Sequence, residues 1–185
     1  MRFLELVRKR HSVRNYAQAP VSREIIDRCL EAARLAPSAC NSQPWTFIVI
    51  DDRNLIAACA DQVFSGMYSM NSFVKNAPVL IVVITERSAY SATLGGYFRG
   101  TQYSLIDIGI ACEHLVLQAA EEGLGTCWIG WFNEKKMKKL LGLSRPAKID
   151  VIISMGYPID QPAGGTPRKS LDQIRRYHPA HGSTP

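Results

Sequence analysis

Long hydrophobic runs are missing from this 185-residue chain. No apolar stretch approaches the ~20 residues that a membrane-spanning helix needs. The opening MRFLELVRKRHSVR alternates charged and apolar side chains. It therefore does not read as a secretory signal, and a cytoplasmic protein is expected. Cysteine is sparse and unpatterned. Cys29, Cys40, Cys59, Cys112 and Cys127 are odd in number, and no two are spaced as CxxC. That argues against a disulfide framework and against a zinc site. The histidines, His11, His114, His178 and His181, stand at no metal-binding spacing to one another or to a cysteine. No metal is expected. There is no GxxxxGK phosphate loop and no GxSxG elbow. Gly123-x-Gly125 follows a helical pattern and precedes a strand, the reverse of the polarity a dinucleotide fingerprint requires. The net charge of +6 favours anionic ligands but is too weak to indicate nucleic acid.

What is present is ordinary globular composition, 46% hydrophobic and 21% charged, enough for one domain with a sizeable core. Periodicity predicts a short amphipathic helix over 3–10, with Phe3, Leu4 and Val7 on one side. A second helix is capped by Ser22 and carries Ile25, Ile26, Cys29, Leu30 and Ala33 at helical spacing. It must end before Pro37. WTFIVI (45–50) reads as a buried strand, 53–60 as a helix and 61–77 as irregular. Pro78 opens the strand VLIVVI. Residues 86–100, rich in Gly, Tyr and Ser, read as a mobile loop or lid. Residues 101–122 form a helix apolar almost all round, suited to the core, a subunit interface, or both. Gly123 ends it. A strand over 126–131, a helix from the Asn133 cap to Leu141 and a strand over 147–157 follow. The chain from Pro158 holds little core material. No domain linker or repeat is visible, so residues 1–185 read as one domain with 158–185 as an extension. Two helices before any strand favour α+β.

Two segments carry polar groups in suggestive arrangements. Residues 37–45, Pro-Ser-Ala-Cys-Asn-Ser-Gln-Pro-Trp, spend nine positions on a helix-to-strand junction. Pro37 and Pro44 stiffen it. It is either a ligand loop offering hydroxyls and amides or an ordinary proline-rich turn. Arg10-His11-Ser12-Val13-Arg14 offers two guanidiniums and a hydroxyl, a set suited to phosphate or to a plain basic surface. A second basic cluster, Arg168, Lys169, Arg175 and Arg176, could meet the first at one anionic site. Lys135, Lys136, Lys138 and Lys139 read as a solvated helix face. Cys40 is a possible nucleophile, with no histidine near it in sequence. His178 and His181 read as solvated, and His114 as a surface or interface residue.

Taken together, RHSVR, APSACNSQPW, NAPVLIVV, SLIDIGIACEHLVLQAAEEGLGTCWIG, and MGYP followed by RKSL resemble the nitroreductase family of flavin enzymes, in order and over nearly the whole chain. The resemblance implies an α+β three-layer sandwich, a small mixed β-sheet flanked by helices, in an intertwined homodimer with two flavins at the interface. The tail from Pro158 would wrap the partner subunit. It implies FMN as cofactor. Arg10 and Ser12 match positions contacting phosphate and ribityl chain, with His11 inside the same motif, and Arg14 matches a residue at the pyrimidine edge. Pro37, Ser38, Ala39 and Asn41 match residues that reach the flavin from the partner, and Gln43 either does so or holds the loop. Ile129 and Gly130 match the stretch whose backbone faces N5. Arg168 matches a phosphate contact, with Lys169 next to it. Trp45 and Asp107 also match family positions and read as structural, Asp107 needing a partner inside a buried helix.

The implied activity is ping-pong hydride transfer from NADH or NADPH through the flavin to an electron-poor small molecule: a nitroaromatic, quinone or activated alkene. No acid/base pair is evident. Substrate choice is expected from 61–73 and 86–100 with Trp131 and Phe132, where Tyr68, Tyr97 and Phe98 could stack on an acceptor. The alternatives are reductive dehalogenation, flavin breakdown, or flavin binding without turnover. Neither nucleic acid nor membrane is an expected partner.

Overall fold

The computed structural model describes residues 2–86, 100–144, 146–160 and 166–178. Tyr97 and Phe98, and almost all of the expected lid, lie outside them. Helix α1 (Phe3–Lys9) and helix α2 (Arg23–Arg34) precede strand β1 (Trp45–Ile50), helix α3 (Arg53–Gln62) and a 3-10 segment (Gly66–Asn76). Strand β2 (Val79–Thr85), helix α4 (Tyr103–Glu121), strand β3 (Gly125–Ile129), helix α5 (Glu134–Leu140), strand β4 (Lys148–Gly156) and a short helix α6 (Leu171–Ile174) follow. Local chemistry sets several boundaries. The Asp52 and Asn133 side chains accept from the N–H groups of Leu55 and Lys136 and so start α3 and α5. Gly123, at φ +79°, takes the left-handed turn that ends α4.

The sheet order is β1-β2-β4-β3, with every neighbouring pair antiparallel. The expected mixed sheet is met only by an isolated parallel bridge from Ser12 to Thr126. β2 is buried along its whole length because both faces of the sheet are covered. Leu80, Val82 and Ile84 pack with α3, Phe64 and Met137 on one side. Val79, Ile81 and Val83 pack with α2 and α4 on the other. The result is a three-layer sandwich, and it explains why the strand reads as an unbroken apolar run rather than an alternating one.

Three expectations change. β1 is an edge strand, and all of it but Ile50 keeps some exposure. The supposedly irregular 66–76 segment is 3-10 helix. Phe132 is buried in the core rather than offered to substrate. Phe3 and Leu4 on α1, 66% and 65% exposed, and Ile106 on α4 find no cover among the described residues.

Glu134 fastens α5 to β4. Its carboxylate accepts from the Ile149 N–H at 3.1 Å and pairs with Lys148 and Lys138, each at 2.9 Å. Desolvation pushes its pKa up, but these donors outweigh it and hold the group at about 2. A folded-state value below the ordinary one contributes stability at pH above the ordinary carboxylate range, lost as pH falls towards 2. Between about pH 6 and about pH 3, the wild-type chain should therefore lose more stability than Glu134→Gln. Urea melts at the two pH values check this.

Candidate functional site

After α1 the chain runs extended against the rim of the sheet. The Val13 N–H donates to the Thr126 carbonyl at 2.9 Å, and the Ala17 N–H to that of Tyr157 at 2.8 Å. Val13 and Tyr16 turn into the core, while Ser12 and Arg14 face outward. Tyr16 is an anchor. Its hydroxyl donates to the Val13 carbonyl at 2.6 Å and lies 2.8 Å from Ser154 Oγ. Burial pushes its pKa upward, so it stays neutral.

The end of α1 and the two residues after it border a cavity of about 720 Å³, which Ser12 and Arg14 do not line. Arg8, Arg10 and His11 line one side, Gly125 and Thr126 the strand side, and Arg168 the tail side. Of the second basic cluster only Arg168 reaches this cavity; Lys169, Arg175 and Arg176 do not line it. Arg10 faces Glu113 at 3.9 Å, beyond hydrogen-bond range. Burial raises the Glu113 pKa against the opposing pull of Arg10. Arg168 donates a long bond, 3.4 Å, to the Pro167 carbonyl. His11 Nδ1 lies 3.0 Å from the Lys9 carbonyl. A carbonyl can only accept, so that nitrogen carries the proton. Among the described residues, the guanidinium donors of Arg10 and Arg168 are largely unspent. Lys169 is exposed and does not line it.

The 37–43 loop sits elsewhere. Cys40, Asn41 and Gln43 have φ of 52°, 53° and 45°, a region that non-glycine residues seldom enter. Ser38 Oγ accepts from the Gln43 N–H at 2.9 Å, and Gln43 Nε2 donates to Asn41 Oδ1 at 3.1 Å. Gln43 thus holds the loop. Asp107, on α4, accepts from the Ala39 N–H at 3.0 Å, which supplies the partner that a buried acidic residue in an apolar helix called for. Asp107 is near the start of α4, whereas Ala120, which borders the cavity, is near its end. At ~1.5 Å per residue Ala120 lies about 20 Å from Asp107 along the axis, and Glu113, which faces Arg10, about 9 Å. One chain does not bring the loop and the arginine cavity together.

Ile129, the last residue of β3, is buried at 1% exposure, and Gly130 just beyond it is exposed. Only the backbone of this pair could meet a ligand. Trp131, half exposed, donates from Nε1 to the Met67 carbonyl at 3.0 Å and lies 5.3 Å from the Tyr68 ring. Asn71 donates to the Trp131 carbonyl at 2.8 Å. The Arg14 guanidinium stands 5.9 Å from the centre of the Phe73 ring. Tyr68, Asn71 and Phe73 fall in the 61–73 segment expected to set substrate choice together with Trp131; the contact of Glu113 with Arg10 is one that no local pattern marks. Among the described residues, no cluster of His, Cys, Asp and Glu could hold a metal ion, and no helix is long and apolar enough to cross a membrane.

The Nitroreductase family model matches residues 7–157. This chain belongs to the nitroreductase family. A protein of Archaeoglobus fulgidus provisionally named an NADH dehydrogenase/NAD(P)H nitroreductase is 32% identical, the match covering 85% of this chain and 86% of the relative. Rat iodotyrosine deiodinase 1 is 30% identical over 93% of this chain and 68% of its own length. Among solved structures, an FMN-dependent nitroreductase from Clostridium difficile R20291 superposes with a TM-score of 0.74 at 28% identity, covering 95% of this chain and 98% of that one. As a nitroreductase, the chain has the expected fold.

Proposed function

We propose that this nitroreductase-family chain is an FMN-dependent oxidoreductase that uses NADH or NADPH to reduce an electron-poor small molecule. The observation that carries the reading is the cavity where Arg10 and Arg168, from opposite ends of the chain, converge, with Glu113 no nearer than 3.9 Å to Arg10. Its donor set fits a phosphate dianion. Arg10 and Arg168 hold the phosphate, Ser12 the ribityl chain, and Arg14 sets a positive charge at the ring edge that favours electron uptake. His11 lines the phosphate end. Lys169 contributes charge from the rim. The backbone at Ile129 and Gly130 borders the ring.

Bound FMN would supply the redox chemistry, accepting hydride from the nicotinamide and passing it to the acceptor. The chain contributes orientation and exclusion of water. The shelf of Tyr68 and Trp131 gives a flat acceptor a surface to stack on. The loop bearing Pro37, Ser38, Ala39 and Asn41 lies at the far end of α4 from the cavity. A two-fold dimer would carry it to the partner's flavin, and the uncovered apolar residues of α1 and α4 suit such an interface. The deiodinase relatives support a second reading, reductive dehalogenation on the same frame.

An anaerobic visible spectrum of the FMN-loaded protein, before and after adding each nicotinamide, tests this. Bleaching of the yellow colour by NADH or NADPH is the expected result and names the donor. Colour that neither removes, but that dithionite does, would favour the dehalogenase or carrier readings. Failure to take up FMN would overturn the assignment.

A further inference from the structure

We infer that Asp107 is the positioning residue of the cofactor loop: its carboxylate holds residues 38–43 in a shape that puts Cys40, Asn41 and Gln43 at positive φ and so governs flavin affinity without touching the flavin. This rests on the FMN reading above. Asp107 is 4% exposed, in a helix whose other inward positions, such as Ile108, Ala111 and Leu115, are apolar. A buried carboxylate is costly unless hydrogen-bonded. The side-chain partners found for it both come from the loop, the Ala39 N–H at 3.0 Å and Ser42 Oγ at 3.5 Å. Its hydrogen bonds therefore last only while the loop keeps its form.

The loop in turn needs such a tie. Cys40, Asn41 and Gln43 all sit at positive φ, where a Cβ crowds the following carbonyl. The Ser38–Gln43 clasp closes the loop on itself, but Asp107 fixes it to α4. Cys40 is exposed, so its side chain supplies no packing that would explain the shape.

The test uses Asp107→Ala, Asp107→Asn, and Asp107→Ala combined with Cys40→Gly, each in the full chain, titrated with FMN by flavin fluorescence and melted without it. Asp107→Ala should weaken FMN binding by about tenfold or more, equivalent to about 1.4 kcal/mol. Asp107→Asn keeps an oxygen for the Ala39 N–H and should stay within about threefold of wild type. Glycine at position 40 takes φ > 0 without penalty and should recover much of the lost affinity. It cannot repair a void beside α4, so recovery separates positioning from packing. Unchanged affinity in Asp107→Ala, or no recovery with glycine, would overturn the inference. If Asp107→Ala does not fold, Asp107→Asn decides: a loss beyond about tenfold at wild-type melting temperature contradicts it. A wild-type chain that binds no FMN overturns the cofactor reading, and this inference with it.

Discussion

Arg10→Ala should weaken FMN binding by about 10- to 150-fold and leave riboflavin binding nearly unchanged. A hydrogen bond to a charged group contributes about 1.5–3 kcal/mol, which sets that range. The upper part is favoured because the Arg10 side chain is only 19% exposed, so water screens it little. Competition from within the protein is weak, since Glu113 stands 3.9 Å away. Removing the guanidinium should cost little stability, because a pair at that separation contributes little. Arg168→Ala, more exposed, should lose less. If both hold one phosphate, the double variant should depart from the sum of the singles, as groups sharing a partner do. Riboflavin is the control that matters, having the ring and ribityl chain but no phosphate. Equal losses for FMN and riboflavin would remove Arg10 from the phosphate and leave it a general structural role. Fluorescence titration of both flavins measures this directly.

Gly125→Ala should be the most damaging single-methyl change at this site. A Cβ there would lie 2.4 Å from Val13 Cγ2, 2.7 Å from Val13 Cβ and 2.9 Å from Val13 Cγ1. Rotating the valine side chain cannot relieve a clash with its Cβ, which moves only with the backbone. The 12–14 segment must then shift from β3, stretching the Val13-to-Thr126 hydrogen bond. Overpacking costs about 1–3 kcal/mol and the weakened bond about 1. Together they lower the melting temperature by about 6–12 °C for a chain of this length. Ser12 and Arg14 flank Val13, so FMN affinity should fall as well. Gly130→Ala, where a Cβ meets nothing within 4 Å, should leave the melting temperature within about 1 °C. Thermal melts of the two variants side by side would show whether close approach or the mere loss of a glycine matters. Equal melting temperatures would refute the packing account.

Each part of this site was legible to a different degree. α2, β2, α4 and α5 follow from periodicity, caps and stop residues close to where they fall, because those signals act over one or two turns of chain. The basic run at 10–14 and the polar loop at 37–43 stood out by composition alone. The sequence could say that Asp107 needed a partner, but not which one. Burial of Phe132 beside the exposed Trp131 was equally beyond it: adjacent side chains leaving a strand point to opposite sides, and only the packed layers show which side is core. The edge position of β1 was hidden because an apolar run looks the same in a central and an outer strand.

By itself, then, the sequence determined the helices and strands, the α+β class, the family and the candidate residue types. These rest on short-range sterics, on hydrophobic period and on motifs kept in order. Only the tertiary structure decided that Arg10 and Arg168 share a cavity, that Val13 demands glycine at 125, and that no residue of the polar loop lines that cavity. Such facts come from contacts between residues remote in sequence. Those contacts are set by how the layers pack, and no local pattern of side chains encodes them.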